Sequence, residues 1–365
     1  MTGGYAERLQ ASFDTLNQDG ALMRHQVIVT GDINLLGVTD PAVPFVRVQD
    51  RLRATDVVFA NLECCFYEAE TERSSEDEGF YAPLQAAQAL RLAGVHAVGN
   101  ANNVNYGAPA IRSSLTRLDE LGILHTGAGV NSAEARQPVI LERDGVRFGF
   151  LQRTSVYWSH GHEAQANYPG VATLKAHTAY RPQMEQLRTL TRPGMPPEVV
   201  TWADPAALHH FRHDIETLRP QVDFLIASHH WGLDREVLAY QIDIAHTAID
   251  AGADAVVGHG PHFPLAIEIY NEKPIFYGLG SFSFETGHRG RKHPDWIGLM
   301  LHLAVHDGAL VRAAFSFVRH NAHNQTILCP LASEQEELEQ LRRLSERFAT
   351  TLHVEGDEVV VWSQA

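Results

Sequence analysis

The chain has 365 residues, 44% of them hydrophobic and 20% charged, with 28 Gly and 17 Pro; this excludes a disordered, collagenous or low-complexity protein and gives length enough for a sizeable core. Acidic residues outnumber basic ones 44 to 29, for a formal charge of -15. Phosphates are repelled over most of such a surface, which argues against nucleic acid or an anionic membrane as partner and leaves only local basic pockets.

The first twenty residues are polar and charged throughout, without the apolar run of a secretory signal, and no later stretch reaches the ~18 apolar residues of a membrane span. The expectation is a soluble cytoplasmic protein without a membrane anchor. A helix is predicted near 5–16, after which apolar runs alternate with helical spacing, the sequence form of an α/β domain. Strands are predicted at 27–30 and 57–60, then a helix at 83–93, a strand at 95–98, a helix at 111–121 and a strand at 123–125. The runs 139–142 and 147–151, joined by Arg143-Asp144-Gly145-Val146, read as a hairpin, so the sheets are expected to be mixed. Between 157 and 205 the periodicity is broken by Pro169, Pro182, Pro193, Pro196 and Pro197, and an elaborated loop region with one helix near 180–191 is expected. Regular spacing then predicts a helix at 206–218, a strand at 224–228, a helix at 240–251 and a strand at 255–257. Strands follow at 265–270 and 274–277, a pair at 299–305 and 310–318, an exposed amphipathic helix at 334–352 and a last strand at 358–362. With no repeat and no dividing linker, a single domain over 1–365 is expected, its core at about 25–320 and a C-terminal helix and strand at 333–362.

Short polar motifs fall where the predicted strands stop: Gly31-Asp32-Ile33-Asn34, Asn61-Leu62-Glu63, Asn100-Ala101-Asn102-Asn103, Ser228-His229-His230-Trp231-Gly232 and Gly258-His259-Gly260-Pro261-His262. Strand ends of an α/β sheet lie along one edge, so these side chains can meet in one cleft. Carboxylates, amides and imidazoles without thiolate suit Mn, Fe or Zn in five- or six-coordination, and the set is large enough for two divalent metal ions. A metal pair activates water, and that chemistry is hydrolysis. Each motif alone is weak: a strand-end Asp is often a helix cap, Asn102 and Asn103 suit turns, and a single strand-end His is more often a satisfied core group. Cys64, Cys65 and Cys329 make neither a disulfide framework nor a zinc finger.

Over roughly 27–285 the order and wording of these motifs resemble the CapA poly-γ-glutamate (capsule) biosynthesis family, a branch of the calcineurin-like metallophosphoesterases. The resemblance is carried by Ala251-Gly252-Ala253-Asp254-Ala255-Val256-Val257-Gly258-His259-Gly260-Pro261-His262, by Lys273-Pro274-Ile275-Phe276-Tyr277-Gly278-Leu279-Gly280-Ser281-Phe282, by Gly79-Phe80-Tyr81-Ala82-Pro83 and by Gly127-Ala128-Gly129-Val130-Asn131. It implies a four-layer αββα sandwich of two mixed sheets with metals at the strand ends. It also implies Asp32 as a first-metal ligand, Glu63 as the bridging carboxylate, Asn103 as the amide ligand, and His230, His259 and His262 as the imidazoles. His230 is preferred over His229 because the family histidine directly precedes Trp-Gly. Asn34, Asn102 and His229, in the same motifs, become candidates for contacting substrate, although strand alternation points His229 the other way from His230, toward the core or behind the ligands.

The chain also departs from the family pattern. Where the family reads Ala-Asn-Asn-His, with the histidine protonating the leaving group, this chain has Ala101-Asn102-Asn103-Val104, and Val104 carries no proton. His160, His162 and His288 are candidate substitutes, and Arg289, Arg291 and Lys292 a candidate anion contact. The expected function is a metal-dependent hydrolase of a phosphoester or an amide, with a small molecule or an acidic polymer as substrate; a homo-oligomer is compatible with this. The alternatives are a non-catalytic, metal-containing binding or assembly protein for an acidic polymer or partner enzyme, and a tailoring enzyme for an amino-acid-derived metabolite.

Overall fold

The computed structural model describes residues 24–68, 79–183, 194–232, 234–287, 290–293 and 296–364. Two mixed sheets, one of ten strands and one of six, form its centre. In the first, Arg24–Ile33, Val57–Leu62, Ala97–Gly99 and Leu124–Thr126 run parallel to one another, and Ile297–His306 and Ala309–His320 continue it antiparallel. In the second, Val146–Thr154, Phe224–His230, Ala255–His259 and Lys273–Phe276 are parallel, with Val139–Arg143 and Ile267–Tyr270 antiparallel at the edges.

The central strands are apolar on both faces, which a strand can sustain only when each face is covered. Val27, Val29 and Phe59 of one sheet meet Phe150, Phe224 and Val257 of the other in the inner core, where the Phe59 and Phe150 rings stack 4.7 Å apart. Ile28 and Val58 point the opposite way, toward Leu52 of the helix Gln49–Arg53, Leu90 of Gln88–Ala93 and Leu118 of Ala108–Glu120. Leu225 and Val256 face Ile215 of the helix Pro205–Leu218 and Ile244 of Ala239–Asp250. The result is the expected αββα sandwich.

The hairpin at 139–151 and the pair at 299–318 are present as read. Of the helix expected near 180–191, residues 184–191 lie outside the described residues; Tyr180 and Arg181 end the strand Ala176–Arg181, which pairs with Glu198–Ala203 as a separate ribbon that was not expected. Proline punctuation marked the interruption but not the alternation on either side of it, which an exposed ribbon carries only weakly. The C-terminal helix is Gln335–Glu346, shorter than predicted and less exposed, because Leu338 and Leu341 are buried in the inner core. The predicted helix at 5–16 lies outside the described residues. Cys64, Cys65 and Cys329 are free, buried thiols. Among the described residues no helix is long and apolar enough to cross a membrane.

Candidate metal centre

Parallel pairing brings the strand ends to one edge. Asp32 sits opposite Asn61 on one side and Ser281 on the other. Glu63 follows directly, its N–H donating to the Ile33 carbonyl at 2.7 Å. In the second sheet His230 lies opposite His259. His262 stands on the turn that follows, in the left-handed region at φ 63°, where a branched or bulky residue is strained. Gly260, at φ 109°, makes the turn possible: a Cβ there would stand 2.7 Å from the Trp231 carbonyl oxygen and 3.0 Å from His230 Nε2.

These groups meet between the sheets. His259 Nδ1 lies 3.1 Å from Asp32 Oδ1, His262 Nδ1 3.0 Å from Asp32 Oδ2, His230 Nε2 3.0 Å from Glu63 Oε1, and His262 Nε2 3.9 Å from Glu63 Oε2. Asp32, Glu63 and His262 each offer an atom within 4.8 Å of the others' and could hold a metal ion. The donor set is fixed from behind. Thr154 Oγ1 donates to the Val156 carbonyl, so at 3.2 Å it accepts from His230 Nδ1 and leaves the Nε2 lone pair facing the Glu63 carboxylate. Likewise, His259 Nδ1 donates to Asp32, which turns a bare Nε2 inward.

Asp32 Oδ2, His230 Nε2, His259 Nε2 and His262 Nδ1 are buried without a hydrogen-bond partner; the 3.0 Å approaches of His230 and His262 to the carboxylates are not aligned for one. Four such atoms in one place is costly unless a cation or a proton satisfies them. The electrostatics agree. Burial opposes the charge on Asp32, but the hydrogen bond from His259 and the His262 imidazole outweigh it and hold the carboxyl well below its usual range. Burial and the Asp32 charge push Glu63 up, and burial lowers His230 to about 4. Burial lowers His259 too, whereas Glu63 and Asp32 raise His262 against its burial. Oxygen and imidazole donors crowded in this way around carboxylates that cannot both ionise comfortably are the environment that a borderline divalent cation fits.

A cavity of about 250 Å³ opens onto Glu63 and His262, and Asn103 and Val104 line it. Trp158 Nε1 donates to the Asn103 carbonyl at 3.0 Å and so fixes that loop. Arg291 lines the same cavity, whereas Lys292 is paired with Glu285 at 2.7 Å. His288 and Arg289 lie outside the described residues.

Other candidates are not brought to the cluster. His162 is buried with both ring nitrogens engaged, Nδ1 accepting from the Trp158 N–H and Nε2 donating to the Asn105 carbonyl, each at 3.0 Å; burial lowers it to about 4. It is a neutral structural histidine, not a proton donor. His160 is exposed and bonded to its neighbour Ser159 at 2.8 Å. Asn102 makes a turn, its Oδ1 accepting from the N–H groups of Val104 and Asn105 and its Nδ2 donating to the Leu62 carbonyl. Asn34 spends its amide on the Thr286 carbonyl and the Leu36 N–H, anchoring the loop beside the cavity. His229 points away from the cluster, as alternation along a strand requires, stacks on Trp231 and bonds Ser155. Asn34, Asn102 and His229 therefore position backbone and core; the substrate-contact reading is corrected, and for His229 the alternative, a place in the core on the far side of the strand, is the one found.

Sequence reasoning missed the residues that tie the sheets together. Asn61 Nδ2 donates to Asp32 Oδ1 at 2.9 Å and lies 3.2 Å from Glu63 Oε1, while Gln152 Nε2, from the opposite sheet, donates to Asn61 Oδ1 at 2.9 Å. Gln152 stands at a strand end like the five motifs, but with no glycine or repeated amide beside it to draw notice. Also missed was the aromatic wall, where Trp296 packs on His262 at 4.5 Å and on Phe284 at 4.2 Å.

A family model described as "Bacterial capsule synthesis protein PGA_cap" matches residues 13–286. Among curated proteins, the chain is 28% identical over 286 residues to an uncharacterized protein, y4sH, of Sinorhizobium fredii, covering 66% of this chain and 61% of the relative. It is 26% identical over 249 residues to "PGA biosynthesis protein CapA" of Bacillus subtilis, covering 67% and 57%. A "Probable polyglutamine synthesis accessory protein" of Mycobacterium tuberculosis is 30% identical over 244 residues, with 62% and 55% covered. The chain thus spans less than two thirds of the length of each of these relatives.

Proposed function

The chain belongs to the bacterial capsule synthesis PGA_cap family, and on that premise we propose that it is a metal-dependent hydrolase of a phosphoester or an amide, γ-glutamyl amides included. One observation supports this most: five side chains from separate strand ends and one turn leave four unpartnered donor atoms facing one another between the sheets. Asp32, Glu63, His230, His259 and His262, with Asn103 above them, would hold one or two divalent ions of Mn, Fe or Zn. Such an ion supplies Lewis acidity and makes water a nucleophile at neutral pH. The protein's part is to orient and to hold charge. Asp32 keeps the His259 ring in one tautomer, Thr154 does the same for His230, and Asn61 fixes both carboxylates. Val104 moves no proton, so the substrate is one whose leaving group departs without protonation from that position.

Val104 also favours a second reading, in which the family's metal-binding frame serves as a binding or assembly component without turnover. Assays of chelator-free, metal-reconstituted protein on an aryl phosphate and on γ-glutamyl amides separate the two. Hydrolysis that disappears together with bound metal in His259→Ala is the expected result. Full metal content with cleavage of neither substrate favours the assembly reading, and activity that survives both His259→Ala and Asp32→Ala contradicts the metal mechanism.

A further inference from the structure

We infer that the cavity over the cluster selects small anions that carry an aromatic ring beside the group held at the metal centre, with Trp296 and Phe284 seating the ring and Arg291 supplying the counter-charge. The inference rests on the metal-centre reading above. The floor of the cavity is polar, formed by Glu63 and His262; its wall is mostly apolar, Phe80, Val104, Phe284 and Trp296, with Asn103 and His293 as its polar members and His293 packed on Trp296 at 4.2 Å. Trp296 is half-buried and reaches from His262 to Phe284, so the wall begins at the cluster itself. A ring placed there gains apolar burial and offset stacking. A sugar or polyol in the same place would leave the hydroxyls that face Phe80, Phe284 and Trp296 against carbon, at a cost for each unpaired group. At the rim, the Arg291 guanidinium is exposed and has no hydrogen-bond or ion-pair partner among the described residues, whereas the neighbouring Lys292 is neutralised by Glu285. An unpaired guanidinium beside an apolar wall, in a protein of charge -15, suits a carboxylate or phosphoryl oxygen two or three bonds from the ring.

Phenylphosphonate and methylphosphonate, titrated calorimetrically into manganese-reconstituted protein, differ only in the ring. Phenylphosphonate is expected to bind at least about tenfold more tightly, the scale of burying one ring in a partly open site. In Trp296→Ala the two affinities should come within about twofold, whereas Arg291→Gln should weaken both several-fold and preserve their ratio. Trp296→Leu, checked for fold by circular dichroism, replaces the Ala variant if that one does not fold, and should lose most of the preference. Equal affinities in the unaltered protein, binding of neither compound, or a ratio unchanged in a folded Trp296 variant overturns the inference. Metal content measured on the same samples reads the underlying premise separately: full metal without ring preference overturns the inference alone, and protein that takes up no metal overturns both.

Discussion

At the residue scale the centre depends on groups that never face the cavity. Asp32 and Glu63 are both buried, and two such carboxylates without a counter-charge repel. Asn61 spans them, and Gln152 holds Asn61 from the other sheet while its Oε1 accepts from the Ala101 N–H at 2.7 Å. Groups that orient ligands in this way typically govern metal affinity by about 10–100-fold. Gln152→Leu is therefore predicted to keep the fold and to lose manganese affinity within that range in a competition titration; unchanged affinity in a folded variant would remove Gln152 from the account. The ligand candidates themselves were legible, because carboxylate and imidazole chemistry stands out at a strand end. Gln152 was not, because its role comes from register across two sheets, and no local pattern carries that. Being next to a ligand in sequence is not being next to it in space at Asn34 and Asn102, nor at His229, whose opposite direction strand alternation already gives. An alternating strand and an Asx turn separate the two.

The elements that place these residues show the same division. Predictions held for strands apolar on both faces, which read as short apolar runs bounded by turn residues, and for helices with a clear stripe, which have a strong period. They failed in the stretch after Thr154, where the chain makes an exposed ribbon with little hydrophobic contrast and Tyr180 stands open to solvent. One tie between elements could not have been anticipated. Arg153, nearly fully buried at the end of Val146–Thr154, donates at 2.7 Å to Asp214 on the helix Pro205–Leu218, and Arg136 pairs with the same carboxylate at 2.6 Å. Burial opposes the Asp214 charge, but the two guanidinium groups prevail and hold its pKa below the usual value. A carboxylate depressed in this way stabilises the fold above its unfolded pKa and loses that contribution as pH falls through the folded value. Asp214→Ala should cost about 2–3 kcal/mol near neutral pH, the lower end for a broken buried pair because Asp214 keeps 22% of its side chain exposed. In denaturant titrations the gap from the parent should persist down to about pH 4 and close only below it. A gap already closed at pH 6 would mean that the pair contributes nothing.

For the whole molecule, the sandwich is what turns distant motifs into one site. The carboxylates come from the ten-stranded sheet and the imidazoles from the six-stranded sheet and the turn beyond it, and the two sheets meet through the inner core of Val29, Phe59, Phe150 and Val257. Alternation of strand and helix pointed to an α/β domain, but that pattern alone does not say that the strands divide between two stacked sheets; the family resemblance supplied the stacking. What neither supplied was the character of the cavity, which depends on Trp296 and Phe284 returning over His262 from a segment with no regular period. A cation at this junction would join the two sheets as well as serve chemistry. Elemental analysis of purified, chelator-treated and manganese-reconstituted protein tests that claim most directly. About one to two tightly held ions per chain are predicted, falling to background in Asp32→Ala. A folded parent protein that emerges from reconstitution without metal would contradict it.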